Sequence, residues 1–305
     1  MALPAMVLCA GLGTRLRPLS DLRPKALVPV GDRPMLAHVL DRLAAAGIER
    51  VAVNAHHRAG ELRAWLRANA PAVAVSDEPE LLGTAGGLAH ARALLGTGGG
   101  ALVWNGDILA DVDLAALLAA AAAGDDAALA VRPCAPGEGN VGFDAAGRVV
   151  RLRGERVAAE ARGGEFLGVH VVGARLRDAL PARGCLVGDV YIPAMRAGAL
   201  LRAAAHDGPF VDVGSPAGYL AANVAWLAAR GLRSWVGEAA RVAEGVALDG
   251  SVVGAGAVVE GSGALARVVV WPGVRVRAPL ADAVATEGGL VEVGPALTAA
   301  TQPAR

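Results

Sequence analysis

Lys25 is the only lysine in a chain whose lysines and arginines together number 29. It stands in Arg23-Pro24-Lys25, shortly after the glycine-rich run Gly11-Leu12-Gly13-Thr14-Arg15-Leu16-Arg17-Pro18. A chain so committed to arginine that still places a lysine here uses what arginine lacks. A compact ammonium on a flexible stem meets one phosphate oxygen as a point charge, whereas a guanidinium needs room for two bonds. The preceding run suits the same ligand: its glycines let backbone N–H groups approach an anion, and Thr14 and Arg15 add donors. It lacks the third glycine of a dinucleotide fingerprint and the Gly-Lys-Ser/Thr of a Walker loop. Turn, arginine and lysine together read as a phosphate cradle with two fixed cations.

A polyphosphate calls for a hard cation, and two aspartates are placed to hold one. Asp107 closes Val103-Trp104-Asn105-Gly106-Asp107, and Asp212 lies in Val211-Asp212-Val213-Gly214, each at an expected strand end. Magnesium takes one or two carboxylates with water and phosphate oxygens. Asp111 and Asp113 read instead as the acidic first turn of the next helix. Leu82-Gly83-Thr84-Ala85-Gly86-Gly87 opens a helix, and its bare glycine backbone leaves room to pass beneath a flat base or a sugar. His56 and His57 are neighbours whose side chains diverge, with no third ligand near in sequence, so they do not read as a zinc site.

The elements that must position these residues are legible as alternating patterns. Apolar runs at 5–9, 50–54, 72–76, 101–104 and 127–131 predict strands, and helical spacing predicts helices over 34–46, 59–69, 85–95 and 114–123. The alternation argues an α/β fold with a doubly wound, mainly parallel sheet, whose ligands bind beyond the carboxyl ends of the strands. That rule puts the Gly11 loop and the Asp107 turn at one rim. Glycine-broken strands at 141–143, 148–152 and 166–172 suggest an inserted antiparallel layer; helices at 189–196 and 216–229 follow. After residue 233 small aliphatics recur by sixes, at Ala240, Val246, Val252, Val258, Ala264, Val270 and Val276, the pattern of a short parallel β-helix. The expected organisation is a catalytic domain over 1–233, a hexapeptide-repeat β-helix over 234–290 and a disordered tail over 291–305. So short a β-helix needs cover from the main domain or from a partner subunit in a homo-oligomer.

Bulk composition narrows the classes. Formal charge is zero and the pI about 7.0, with no basic run for nucleic acid or an anionic membrane. The 54% hydrophobic content is carried by alanine, and the longest apolar stretch, 114–123, falls short of the ~20 residues of a membrane span. The apolar run at 5–10 enters the glycine turn directly, as a strand and not a signal peptide does, so a cytoplasmic location is expected. Cys9, Cys134 and Cys185 are odd in number, lack C-x-x-C spacing and read as small buried hydrophobes.

With these pieces placed, the chain resembles the sugar-1-phosphate nucleotidyltransferases, the nucleotide-sugar pyrophosphorylases. The resemblance rests on Leu8-Cys9-Ala10-Gly11-Leu12-Gly13-Thr14-Arg15-Leu16-Arg17-Pro18-Leu19 with Pro24-Lys25, then Leu82-Gly83-Thr84-Ala85-Gly86, Asn105-Gly106-Asp107 and Val211-Asp212-Val213-Gly214-Ser215-Pro216, in the family's order. With Asn54-Ala55-His56-His57, the pattern looks closest to the branches that transfer uridylyl to N-acetylmuramate-1-phosphate or guanylyl to mannose-1-phosphate. The resemblance implies a Rossmann-like catalytic fold with a left-handed β-helix, nucleoside triphosphate and sugar-1-phosphate as substrates, and Mg2+ as cofactor. It implies Leu8, Ala10, Gly11, Gly13, Thr14, Thr84 and Gly86 at the nucleotide and Asn105, Gly139 and Gly168 at the sugar phosphate. Arg15, Lys25 and Asp107 would be catalytic, with Asp107 and Asp212 on the metal. Ala26 stands where many members have proline, and the usual E-K-P lysine is missing near Arg151-Leu152-Arg153-Gly154-Glu155, leaving Arg153 or Arg156 as substitutes. Acyl transfer by the β-helix needs a histidine base, and the last histidine, His206, precedes the repeats. A non-catalytic, nucleotide-sugar-sensing subunit is the alternative, distinguished by whether pyrophosphate is released.

Overall fold

Strands buried on both faces belong at the centre of a sheet covered by helices. Ala5–Leu8, Val51–Ala55 and Ala101–Asn105 have that character, with Met6, Val7, Ala52, Val53, Leu102 and Val103 excluded from solvent. The computed structural model describes residues 3–122 and 124–294 and resolves into two units, one of residues up to Leu12 with Val39–Phe210, the other of Gly13–His38 with the residues from Val211 on.

In the first unit one mixed sheet of ten strands carries the core. Ala74–Asp77, Val51–Ala55, Ala5–Leu8 and Ala101–Asn105 pair in parallel in that spatial order. The long strand Arg162–Val172 then joins antiparallel to Ala101–Asn105, and through it come Ala127–Cys134 and Val141–Phe143, both antiparallel to it. The expected antiparallel insertion is therefore a continuation of the same sheet. The reason is the length of Arg162–Val172, whose C-terminal half pairs with the parallel core and whose N-terminal half pairs with Val141–Phe143. Ala59–Asn69 forms as expected, and Met35–Ala45 falls within a residue of its predicted bounds. Leu114–Ala122 also forms, and the residue after it, 123, lies outside the described residues.

Two helices differ from expectation because side chains and distant carbonyls supply their first partners. The segment expected as one helix over 85–95 is two, Gly83–His90 and Arg92–Leu95. It starts early because Leu82 N–H donates to Glu78 Oε2 at 3.2 Å and Ala85 N–H to Gly184 O at 2.9 Å. The expected 189–196 helix is preceded by a wider, π-type turn, Leu186–Tyr191, before Ile192–Arg196. There Cys185 N–H donates to Asp189 Oδ2 and Leu186 N–H to Thr84 Oγ1, both at 2.7 Å.

In the second unit the C-terminal strands stack in parallel as a β-helix. Val242, Val259 and Val276 lie in register one above another, and Val253, Ala257, Leu265, Val268 and Val270 fill the interior. One coil is 17 residues: Ser251 N–H donates to Ser234 Oγ, and Val268 N–H to Ser251 Oγ, each across that separation. A coil one residue short of three hexads drifts out of a strict count by sixes. Ala240, Val246, Val270 and Val276 keep the interior, while Val258 is half-buried and Ala264 faces solvent. Gly289–Glu292 folds back antiparallel on Arg275–Thr286, so regular structure continues past 290. Of the expected tail, 295–305 lies outside the described residues.

The segment Gly13–His38 is anchored within this second unit by the helix Pro216–Ala228 and the β-helix. Tyr219 Oη donates to Pro29 O at 2.5 Å and accepts from Trp271 Nε1 at 3.0 Å. Gly31 N–H donates to Asn223 Oδ1 at 2.8 Å, and the Arg23 guanidinium lies 4.6 Å over the Trp271 ring. No helix among the described residues is long and apolar enough to cross a membrane.

Candidate functional site

In the first unit the chain leaves the Ala5–Leu8 strand and its first two loop amides are taken up at once. Cys9 and Ala10 N–H both donate to Asn54 Oδ1, at 2.6 and 3.2 Å. The Asn105-Gly106-Asp107 turn lies directly beside them. Gly106 N–H donates to Leu8 O at 2.9 Å, and a Cβ at Gly106 would sit 2.7 Å from both that oxygen and Cys9 Sγ. Trp104 Nε1 donates to Ile108 O at 2.9 Å and braces the turn from below. Leu8, Ala10 and Asp107 thus share one rim, as the fold rule requires. Asn105 packs on Gly168, whose φ of +71° and whose missing Cβ, 2.6 Å from Asn105 Nδ2, both demand glycine.

Gly11 is exposed with nothing within 4 Å of its Cβ position, so space is open where a ligand would approach. Among the described residues none of the backbone N–H groups of residues 11–15 has a protein acceptor. Uncommitted N–H groups in a turn are donors of the kind that bind anions. At Gly86 the Cβ direction is filled by Ala182 O at 2.5 Å and Arg183 Cα at 2.8 Å, so close backbone approach requires glycine there. Thr84 likewise uses its hydroxyl on Leu186 N–H. Gly139, with φ +65°, has its Cβ direction blocked by Gly164 O.

In the second unit Gly13 is left-handed, φ +65°, and a Cβ there would meet the Ser20 Cβ at 2.9 Å and the Lys25 Cβ at 3.4 Å. Ser20, fully buried, donates its hydroxyl to Gly13 O at 2.7 Å. Gly13 therefore lets the turn close onto Ser20 and brings the root of Lys25 against it. Thr14 and Arg15 lie in the short turn Thr14–Leu16 and are exposed; Lys25 opens the turn Lys25–Leu27 after Pro24 and is half-buried. Arg15 and Asp212 meet at Gly214: a Cβ there would stand 2.7 Å from Asp212 Oδ1 and 3.1 Å from Arg15 Nη2. Ser215 then caps Pro216–Ala228 by accepting from Gly218 N–H at 3.1 Å.

Among the described residues no group of three or more His, Cys, Asp or Glu side chains is gathered for a metal. A magnesium ion completed by phosphate oxygens needs fewer, and in each unit one aspartate offers hard oxygen donors: the half-buried Asp107 in the first and the exposed Asp212 in the second. Of the two arginines expected to replace the missing lysine, Arg156 pairs with Glu160 at 3.5 Å. Arg153 Nη2 lies 3.6 Å from Cys185 Sγ. Burial pushes the Cys185 thiol up, but N–H groups of Gly188 and Val187, the Arg153 charge and the Thr84 hydroxyl outweigh it and bring it below its ordinary value. All three cysteines are half-exposed, contrary to expectation, because each stands at a strand end or helix start and not within the sheet.

Sequence reasoning gave no role to Asn54, Glu78 or Arg151, each of which holds backbone near the candidate site. Asn54 and Glu78 join through Asn54 Nδ2 and Glu78 Oε1 at 2.7 Å, and His56 Nδ1 hydrogen-bonds with Glu78 O at 2.9 Å. The signal for Asn54 was a polar residue ending the apolar run Val51-Ala52-Val53; nothing local marked Glu78 as its partner. Arg151 bonds Glu160 Oε2 at 2.7 Å and the carbonyls of Gly139, Glu138 and Val141, which holds Glu160 below its usual range.

The mixed sheet with a glycine loop at its rim is an α/β fold, and the nucleotidyl transferase family model matches residues 4–228: the chain belongs to that family. It is 52% identical over 100 residues to N-acetylmuramate alpha-1-phosphate uridylyltransferase of Caulobacter vibrioides, covering 31% of this chain and 41% of the relative. It is 40% identical over 117 residues to mannose-1-phosphate guanylyltransferase of Mycobacterium tuberculosis, covering 37% and 32%. The chain thus spans well under half the length of these two relatives. HddC from Yersinia pseudotuberculosis, solved with GMP-PN, superposes with a TM-score of 0.63 at 20% identity over 74% of this chain and all of that one, a likeness of fold.

Proposed function

We propose that the protein transfers a nucleotidyl group from a nucleoside triphosphate to a sugar-1-phosphate, releasing pyrophosphate. The observation that carries this reading is the row of uncommitted N–H groups at 11–15 beside the open Cβ direction of Gly11. The sugar-phosphate oxygen attacks the α-phosphorus, the bond to pyrophosphate breaks, and a phosphate monoester needs no activating serine or cysteine pair. The protein's part is alignment and charge neutralisation. The N–H row and Thr14 receive phosphate oxygens, Arg15 holds the departing pyrophosphate, and Lys25 offsets charge at the reacting phosphoryl. Leu8, Ala10, Thr84 and Gly86 border the nucleotide, and Asn105, Gly139 and Gly168 border the sugar phosphate. Asp107 and Asp212 would hold magnesium, which when bound supplies positive charge to the phosphate oxygens. Residues 1–233 form the catalytic portion in this reading, supported by the family match over 4–228, with the hexapeptide-repeat, left-handed β-helix over 234–290 appended. Its triphosphate substrate implies a cytoplasmic place of action.

The relatives' names direct the assay. Pyrophosphate release is measured with UTP, GTP and dTTP against N-acetylmuramate-1-phosphate, mannose-1-phosphate and glucose-1-phosphate, with magnesium and with chelator. Release with at least one pair, abolished by chelator, is expected. Silence across the panel removes the reading.

A further inference from the structure

Asn54 and Glu78 are 3% and 4% exposed, and the carboxylate is held only by the Asn54 amide and Leu82 N–H among the described residues. Burying such a group is costly, and an apolar pair of similar volume would commonly serve stability as well. The start of the helix Gly83–His90 makes the position tolerable, since a carboxylate is favoured at a helix N-terminus. Gly87 leaves the space: a Cβ there would lie 2.6 Å from Glu78 Oε1 and 2.9 Å from Asn54 Nδ2. The pair is directional. Asn54 Oδ1 accepts from Cys9 and Ala10, so its Nδ2 must donate, and only an acceptor can stand opposite. The two pinned peptides come immediately before the uncommitted N–H row, and the other oxygen of Glu78 holds the residue before Gly83 and Thr84.

We propose that the buried Asn54 and Glu78 pair is a positioning device for nucleoside triphosphate, locking the entry of the 11–15 loop to the start of the Gly83–His90 helix so that both receive the nucleotide in one fixed geometry. This rests on the nucleotidyltransferase reading. Neither side chain touches the ligand; each acts through backbone it holds.

A polarity-reversal cycle tests it. Glu78→Gln leaves the pair one acceptor short. Asn54→Asp sets two carboxylates face to face, which only a shared proton reconciles. The double variant N54D/E78Q keeps shape, charge and every hydrogen bond: the new glutamine donates to the new aspartate and still accepts from Leu82 N–H. UTP and GTP affinity is measured by calorimetry with magnesium and no sugar phosphate, alongside KM for each substrate, kcat and the thermal midpoint. Each single variant is expected to weaken triphosphate binding about tenfold or more, the scale of one lost buried hydrogen bond to a charged group. KM for the sugar phosphate should stay within about twofold, and the double variant should recover most of the lost affinity, the non-additivity expected of a contacting pair.

Single variants that bind as the unaltered protein does overturn the proposal. So does a double variant that regains its thermal midpoint but not its affinity, which would show that the side chains act on the nucleotide otherwise than through the backbone they hold. Should a single variant not fold, Gly87→Ala presses a methyl onto the same two atoms, and unchanged triphosphate affinity there overturns the proposal equally. An unaltered protein that binds neither nucleotide and releases no pyrophosphate defeats the catalytic reading itself, a result seen before any variant is made.

Discussion

The glycine loop is divided between two units that hold their shares of it by different physics. Up to Leu12 the anchor is a short relay of amide and carboxylate, Asn54 and Glu78, with sequence separations of 45 and 24 between partners. From Gly13 on, the arm bearing Arg15 and Lys25 is held locally by a serine hydroxyl and, across separations of 190 and 192, by a phenol and an amide, with the Arg23 guanidinium over the Trp271 ring. The first anchor is ionic, costly and directional; the second gains from burying large rings. Trp271 and Tyr219 are both fully buried, and burial pushes the Tyr219 hydroxyl well above its ordinary range, so it remains a proton donor to Pro29 O. Sensitivity to bond polarity therefore belongs to the first anchor and sensitivity to volume to the second.

The largest expected effect tests what the second anchor is for. Lys25→Ala should keep the thermal midpoint and lose at least ~100-fold in turnover, the scale of removing one preorganised charge from a phosphoryl-transfer site. Lys25→Arg should also be impaired, because the guanidinium differs in shape; steady-state kinetics on both checks this, and normal turnover in the alanine variant would detach Lys25 from the chemistry.

Trp271→Ala should cost about 3–5 kcal/mol in denaturant unfolding, the usual price of emptying a buried tryptophan site. Tyr219→Phe keeps the volume and leaves Pro29 O and Trp271 Nε1 without their partner, a loss of about 1–3 kcal/mol. A phenylalanine variant as damaging as the alanine one would show that hydrogen bonding, and not volume, governs this side.

The smallest effect is a slope with pH. His170 in the first unit, its Nδ1 2.5 Å from Tyr191 Oη, is lowered to about 3 by burial. Its folded form stays neutral while the unfolded chain takes a proton below about 6.5. The unfolded state then binds more protons, so stability should fall as pH drops from about 6.5 toward about 3. Urea midpoints followed against pH should show this slope, and His170→Phe should flatten it; an unchanged slope would place the acid sensitivity elsewhere.

Much of the candidate site was legible as a proposal because its signals are local. The Gly13 turn, the lone Lys25 and the Asn105-Gly106-Asp107 turn each declare themselves within a few residues, and strand alternation puts the Gly11 loop and the Asp107 turn at strand ends. What packs on Gly86 was not legible, since the backbone at 182–183 that fills its Cβ direction comes from far along the chain. The count by sixes lost phase because a 17-residue coil closes on geometry and not on a strict repeat.

Residue chemistry by itself determined which groups can meet a polyphosphate: glycines that free backbone N–H groups, one ammonium, one guanidinium and two strand-end carboxylates. Tertiary structure alone decided what holds them. A hydrogen bond between Tyr219 and Pro29, or a carboxylate at Glu78 made tolerable by Asn54 and a helix start, depends on through-space distance, and no spacing along the chain encodes that.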